Sequence, residues 1–234
     1  MRPYSFLVAA LLIVLTGCNR CDTDKGNICL ALGDYEMAQY FFGRVLQKDP
    51  AHFEARLGKG KALLQKMAAV TGDDAQSWRR ALIHLEAAAD INPQHDLRSL
   101  LSEVWYRRSH AFLSKGDTAA SLDALTRSVE FNAENIEALN TAGIIYFRLG
   151  ETDKAEEIFK RAIKIDNVNT TLLFNLGMIY YRQDDLLQAH RLWFSALQNS
   201  PDDSEIIYWF AMAEKELRAS SENISSPSVF GADK

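Results

Sequence analysis

The chain has 234 residues, 47% of them hydrophobic and 24% charged, with a formal net charge of -5. This composition fits a globular protein of one or two domains, and its acidic balance, without a clustered stripe of Lys and Arg, argues against nucleic acid as a partner. Long stretches of Ala, Leu, Glu, Lys, Arg and Gln, with few prolines and no runs of alternating Val, Ile and Thr, predict an all-α chain.

The first predicted element is a short apolar segment. Arg2 is followed by apolar residues from Phe6 to Leu15, which as a helix would cover only about 15 Å of a hydrocarbon core roughly 30 Å thick. The segment is therefore too short to span a membrane. A positive residue, a short apolar core and small residues at its end are the parts of a secretory signal peptide, which we assign to residues 1–17.

Leu15-Thr16-Gly17-Cys18 ends this segment and resembles the lipobox of bacterial lipoproteins. The resemblance implies that Cys18 becomes the acylated N-terminus after cleavage, and several acyl chains hold a protein on a bilayer essentially permanently. By the enterobacterial sorting rule, Asn19 in place of Asp favours the outer membrane, facing the periplasm, over the inner membrane. An ordinary signal peptide or a chance cysteine is the alternative interpretation.

Two further cysteines, Cys21 and Cys29, follow the lipobox. In an oxidising periplasm they could form a disulfide. Eight residues of continuous helix would hold them about 12 Å apart, beyond the roughly 7 Å Cα limit for a disulfide. Pairing therefore requires that Cys21 lie before the first helix, where Asp22-Thr23-Asp24 offers N-cap residues. The sequence leaves this pairing open.

An internal repeat with an offset of 34 residues is the strongest signal in the chain. Leu139-x-x-Ala142-Gly143-x-x-Tyr146 aligns with Leu173-x-x-Leu176-Gly177-x-x-Tyr180, and Trp105-x-x-Arg108-Ser109-x-x-Phe112 falls in the same register. This pattern resembles the tetratricopeptide repeat (TPR). The resemblance implies a right-handed α-solenoid of about five helical hairpins, with repeats at about 19–52, 53–95, 102–135, 136–169 and 170–203.

The repeats differ in length and spacing. Gly26 and Gly60 stand where the helices of the first two hairpins approach closely, but the segment from Gly60 to Ala81 carries surplus residues that predict a longer loop or lengthened helices. Further extra residues near 94–99 precede the third repeat. Gly116 and Gly150 fall between helices, where a positive φ is easiest for glycine.

The C-terminal part predicts a cap and a tail. Ser204–Ala219 predicts an amphipathic helix without a partner hairpin, and terminal repeats of a solenoid need such a cap with a polar outer face. Residues 220–234 are rich in serine and predict a disordered tail. The repeats and the cap together form a predicted domain of residues 18–219.

No motif of known catalytic or metal chemistry accompanies the repeats. None of the histidines lies in an H-E-x-x-H pattern or at a metal-ligand spacing with cysteine: His52, His84, His95, His110 and His190. A glycine-rich phosphate loop and a G-x-S-x-G elbow are also missing from the sequence. We therefore expect no enzymatic activity, no metal and no cofactor.

In the TPR family, the first helix of each hairpin lines a concave groove that binds partners. Position by position, the resemblance implies the following groove residues: Glu103, Tyr106, His110, Leu113 and Ser114 in the third repeat, Glu137, Asn140, Ile144, Phe147 and Arg148 in the fourth, and Thr171, Phe174, Met178, Tyr181 and Arg182 in the fifth. An apolar surface with an arginine pair at its edge suits a partner helix or extended peptide. For Phe147 and Tyr181, burial between repeats is the alternative.

The lipobox and the tandem repeats together resemble bacterial envelope lipoproteins, notably the pilotins of type IV pili and the tight-adherence (Flp) pilus assembly lipoproteins. The resemblance implies a membrane-anchored adaptor that binds proteins during envelope assembly, including pilus or secretin biogenesis. Scaffolding of peptidoglycan hydrolases or of outer-membrane assembly is an alternative, as is a soluble TPR regulator or chaperone if the lipobox is misread. A hidden hydrolase would need clustered titratable groups, for which the sequence offers only His110 near Glu103 and Glu137.

Overall fold

The computed structural model describes residues 19–69 and 76–225, and in them every regular element is an α-helix, which confirms the all-α class. The helices are α1 (Asn19–Ala31), α2 (Tyr35–Lys48), α3 (Phe53–Ala69), α4 (Ser77–Ile91), α5 (Arg98–Ser114), α6 (Thr118–Phe131), α7 (Ile136–Arg148), α8 (Thr152–Ile165), α9 (Thr170–Arg182), α10 (Leu186–Asn199) and α11 (Ser204–Ser225). Searched over this described part, no helix combines the length and the apolar character that crossing a bilayer requires. The predicted signal peptide and Cys18 lie outside the described residues.

Consecutive helices pair into hairpins within two compact units. Unit 1 contains the hairpins α1–α2, α3–α4 and α5–α6, and unit 2 contains α7–α8 and α9–α10, with α11 packed on α10. In the described residues these are the five hairpins and the C-terminal cap that the sequence predicts. The right-handed superhelix implied by the resemblance stays a prediction.

In four of the five hairpins the first helix carries a glycine against which a large side chain of the second helix packs. A Cβ atom built on Gly26 of α1 would lie 2.6 Å from the Phe42 ring of α2, so only glycine fits there without a shift of that ring. Equivalent pairs recur in three later hairpins: Gly60 with Leu85, Gly143 with Phe159, and Gly177 with Trp193. The predicted close approach at Gly26 and Gly60 is confirmed.

The turns inside the hairpins use the left-handed backbone conformation that the sequence predicts. Gly116 and Gly150 have φ of 76° and 78°. Asp184 stands at the equivalent place in the fifth hairpin and also has a positive φ, of 64°, although it carries a Cβ. The next residue, Asp185, is the N-cap of α10, and its side chain accepts a hydrogen bond from the backbone N–H of Gln188 at 3.1 Å.

Part of the surplus lengthens helices. α3 has 17 residues where α7 has 13, and α5 begins at Arg98, ahead of the predicted start of its repeat near residue 102. Of the extra residues near 94–99, the last two therefore belong to α5, whereas residues 94–97 form the connection that precedes it. α11 continues to Ser225, past the predicted end of the cap at Ala219, so residues 220–225 are helical and not part of a disordered tail.

Cys21 and Cys29 do not form the disulfide that the sequence leaves open. α1 begins at Asn19, so both cysteines lie in one continuous helix, and both are unpaired. Eight residues of helix separate their Cα atoms by about 12 Å, which no disulfide spans. Asp22-Thr23-Asp24 accordingly lies inside α1 and does not form its N-cap. Cys29 is buried against α2, and this burial raises the pKa of its thiol.

Candidate functional site

In unit 2, the predicted groove residues lie on α7 and α9, the first helices of neighbouring hairpins. Their spacing of i, i+4, i+7 and i+8 places them along one stripe of each helix. The amide Nδ2 of Asn175 donates a hydrogen bond to Oδ1 of Asn140 at 2.9 Å, which joins α9 to α7. Asn175 was missed by the sequence analysis because it immediately follows the predicted Phe174 and lies at the margin of the stripe.

A second contact joins the two helices nearer their C-terminal ends. The guanidinium carbon of Arg182 lies 4.7 Å from the centroid of the Phe147 ring. A cation over an aromatic face is attracted by the ring quadrupole, so this contact orders the arginine side chain. Phe147 is half-buried, whereas Arg182 and Arg148 are exposed. Unit 2 therefore presents two exposed positive charges at the ends of α7 and α9.

Tyr181 is held by the cap helix. Its hydroxyl donates to Oε1 of Glu216 in α11 at 2.7 Å, and its ring centroid lies 5.3 Å from that of Trp209 and 5.8 Å from that of Trp193. The hydrogen bond to Glu216, together with burial, raises the pKa of Tyr181. These contacts match the alternative left open for Tyr181, in which it packs between hairpins.

The apolar residues of the stripe rest on a rigid support. Phe174 and Met178 are half-buried and pack against the cluster of buried residues around Trp193. The indole Nε1 of Trp193 donates to the backbone oxygen of Phe174 at 3.2 Å, which ties α9 to α10. Ile144 is half-buried on α7. A surface fixed in this way loses little conformational entropy when a ligand binds.

In unit 1, the predicted residues Tyr106 and His110 contact each other on α5. Their ring centroids lie 4.8 Å apart in an edge-to-face arrangement, and His110 is exposed at the surface. Partial burial of the ring, followed by the charge of Arg107, lowers the pKa of His110, while Glu103 opposes this shift. Glu103 forms an ion pair with Arg107. The carboxylate that the hydrolase alternative would pair with His110 is thus engaged by an arginine.

A search of the described residues for three or more His, Cys, Asp or Glu side chains placed to hold a metal ion found no such group. The predicted groove residues on α7 and α9, called the groove stripe below, carry amide, apolar and guanidinium groups instead. Such groups hydrogen-bond, pack against and neutralise a ligand. They suit binding of another molecule, because none of them is an activated nucleophile or a general base.

Comparison with known proteins identifies the repeats. Two models of the tetratricopeptide repeat family match residues 102–135 and 136–167. Among solved structures, the crystal structure of MamA protein is similar with a TM-score of 0.53 and 22% identity, covering 80% of this chain and 94% of that one. YrrB, a TPR protein with an unusual peptide-binding site, has a TM-score of 0.53 and 19% identity over 80% of this chain and 89% of its own. No curated protein matches the sequence significantly.

These likenesses show the fold. The chain contains tetratricopeptide repeats and has the all-α architecture of TPR solenoid proteins. Repeat folds of this class present extended surfaces for binding other proteins. The general role of the fold is therefore protein–protein interaction.

Proposed function

We propose that the chain is an adaptor that binds an extended peptide or a helix of a partner protein on the α7–α9 stripe of unit 2. The contact between Asn140 and Asn175 carries this proposal. This hydrogen bond uses the Nδ2 of Asn175 and the Oδ1 of Asn140. The Nδ2 of Asn140 and the Oδ1 of Asn175 therefore remain available to a ligand. Within the described residues neither atom has another hydrogen-bond partner. One donor and one acceptor match the N–H and C=O of a peptide backbone.

The neighbouring side chains define the chemistry of the partner. Ile144 and Met178 stand at equivalent positions of α7 and α9 and offer half-buried apolar surface to an apolar anchor. Arg148 and Arg182 add positive charge at one end of the stripe. Arginine recognises carboxylates through paired hydrogen bonds. The preferred partner is accordingly a segment with an apolar anchor followed by an acidic group. The peptide-binding site of YrrB, on a similar fold, supports this use of the repeats.

Membrane attachment through Cys18 belongs to the same proposal and is supported by the lipobox resemblance of residues 15–18. A lipid on Cys18 would restrict the adaptor to the bacterial cell envelope, with the outer membrane and the periplasm favoured. Its partners would then be envelope proteins under assembly, and pilus or secretin biogenesis is the pathway that the family resemblance favours.

The stripe is tested by affinity purification and crosslinking from intact envelopes. Met178→Glu places a charge on the stripe, and we expect it to reduce recovery of a specific partner by at least about tenfold, as for a residue central to an interface. Leu187→Glu makes the same type of change at an exposed position of α10 and serves as the matched control. Equal recovery with both variants, when circular dichroism shows both folded, would contradict binding at the stripe.

A further inference from the structure

Four side chains of unit 1 form a basic cluster apart from the predicted groove residues: Arg56 and Lys59 of α3, and Arg80 and His84 of α4. Counted from the close-packing glycines Gly60 and Gly177, Arg56 and Lys59 occupy the positions that Leu173 and Leu176 occupy in the fifth repeat. Both leucines are buried core residues. The second repeat thus carries two positive charges where the fifth repeat has buried apolar side chains.

The contact between Arg56 and His84 determines which groups the cluster offers. The Nη1 atom of Arg56 lies 3.3 Å from Nδ1 of His84, and its Nε donates to the backbone oxygen of Pro50 at 2.9 Å. A guanidinium group has no acceptor, so Nδ1 of the histidine accepts and the ring proton is on Nε2. Arg56, Lys59, Arg80 and the Nε2–H of His84 are therefore all hydrogen-bond donors.

No carboxylate of the described residues is paired with the cations of the cluster. Within residues 19–69 and 76–225, neither Arg56, Lys59 nor Arg80 forms an ion pair with a carboxylate. Arg80 donates to the neutral amide of Gln76. Burial, followed by the charges of Arg56 and Arg80, lowers the pKa of Lys59. Mutual repulsion of half-buried cations destabilises the unit unless an anion is present.

The third repeat shows how a cation at the same position can be compensated. Arg108 is equivalent to Lys59, and its guanidinium carbon lies 3.9 Å from the ring centroid of Trp78 and 4.6 Å from that of Trp105. Two aromatic faces thus stabilise that charge. Among the described residues no aromatic ring does this for Lys59. A Cβ built on the neighbouring Gly43 would lie 3.6 Å from Nζ of Lys59, at ordinary van der Waals distance, so the ammonium group lies beside α2.

We propose that the basic cluster binds a phosphoryl group, carried either by a free phosphate compound or by a phospholipid headgroup. Three cationic side chains and an imidazole N–H offer more donors than the two oxygens of a carboxylate can accept. A phosphoryl dianion provides three or four acceptor oxygens and matches the arginine forks. The inference is independent of the groove, because it concerns different residues in the other unit.

Thermal unfolding of the full chain in inorganic phosphate tests the site, with ionic strength held constant by sodium chloride. We expect phosphate at about ten times its dissociation constant to raise the Tm by about 3–6 °C. Lys59→Leu, which installs the residue of the fifth repeat, should raise the Tm without phosphate and abolish the phosphate response. Lys61→Leu removes the same charge from another face of α3 and should keep the response.

An equal rise in Tm with chloride alone would overturn the site. The same holds if phosphate raises the Tm of Lys59→Leu as much as that of the wild type. If Lys59→Leu fails to fold, Arg80→Gln takes its place, because Arg80 is exposed and its loss leaves the packing intact. Arg80→Gln should reduce the phosphate shift several-fold, and an unchanged shift counts against the cluster.

Sedimentation with vesicles separates the two sources of the phosphoryl group. The assay uses the Cys18→Ser chain, so that no lipid anchor contributes, and compares phosphatidylcholine vesicles with vesicles that also contain phosphatidylglycerol. Binding only to the anionic vesicles, lost in Lys59→Leu, assigns a headgroup. A phosphate response without sedimentation assigns a free phosphate compound. Sedimentation that Lys59→Leu leaves unchanged contradicts headgroup binding at the cluster.

Discussion

At the scale of single residues, one repeat position carries different chemistry along the chain. Its occupants are Lys59, Arg108, Ala142 and Leu176 in successive repeats. Ala142 and Leu176 are buried, Arg108 lies against tryptophan rings, and Lys59 lies among other cations. The backbone tolerates all four residues because the position is at the edge of the hairpin core, where a long side chain can reach outward.

The titration of His84 provides a test at this scale. Burial, and then the charges of Lys59 and Arg56, lower the pKa of His84 from 6.5 to about 4. Between pH 6.5 and about 4, His84 is therefore neutral in the folded chain but protonated in the unfolded chain. The stability that the folded chain gains from a neutral His84 is complete above pH 6.5 and is lost as the pH falls towards 4. We expect the free energy of unfolding, measured with urea, to fall more steeply over this range in the wild type than in His84→Gln.

Gln at position 84 can still accept a hydrogen bond from Arg56 but does not titrate, so the variant isolates the histidine. Lys59 and Arg56, whose charges act on His84, are present in both proteins. Parallel stability curves for the two proteins would show that His84 titrates normally in the folded state.

At the scale of elements, the hairpins depend on close contact between a glycine of the first helix and a large side chain of the second. The pair of Gly26 and Phe42 illustrates the rule, because Phe42 is fully buried and its ring lies where a Cβ of residue 26 would be. Gly43 follows Phe42 in α2 and has only the end of the Lys59 side chain nearby. Packing thus requires glycine at position 26 of α1 but not at position 43 of α2.

Alanine substitutions should separate these two glycines. We expect Gly26→Ala to lower the free energy of unfolding by about 1–3 kcal/mol, because the added methyl group overpacks the contact with Phe42. Gly43→Ala should raise it by about 0.5–1 kcal/mol, because alanine loses less conformational freedom in a helix. Urea unfolding followed by circular dichroism measures both. A stabilised Gly26→Ala protein would refute the packing role of the glycine.

At the scale of the whole molecule, the two units carry separate surfaces. Unit 1 holds the basic cluster together with Tyr106 and His110, whereas unit 2 holds the asparagine pair and the exposed arginines of the groove stripe. A tether at Cys18 would be joined to unit 1 through α1, which begins at Asn19. The proposed phosphoryl-binding cluster therefore lies in the unit that such a tether would attach to the membrane.

Metabolic labelling with palmitate tests the tether. We expect label in the wild-type chain and complete loss of label in Cys18→Ser, because that substitution removes the sulfur that would be acylated. Cys21→Ser is the matched control, since its sulfur lies in α1 and should not be needed for acylation. Label that persists in Cys18→Ser would place the lipid elsewhere, and an unlabelled wild type would favour an ordinary signal peptide or a soluble protein.

The sequence by itself determined the repeated hairpins and their order, because a 34-residue period of small and large apolar residues depends only on local helical spacing. Gly26, Gly60 and Gly143 could be placed in the helix contacts for this reason. Whether Cys21 lies inside α1 was not predictable, because Asp22-Thr23-Asp24 could equally have capped a helix. The sequence therefore left the disulfide open, and the structure leaves both cysteines unpaired.

Only the tertiary structure decided which side chains of different helices meet. Tyr181 binds Glu216, Arg182 covers Phe147, and Arg56 reaches His84, in each case across 28 to 35 residues of chain. A repeat pattern places such residues on a face of their own helix, but their partners depend on how neighbouring helices pack and on the side-chain conformations that this packing allows. The positions of the proposed groove residues along one face of α7 and α9 were therefore predictable, whereas their contacts and the basic cluster were not.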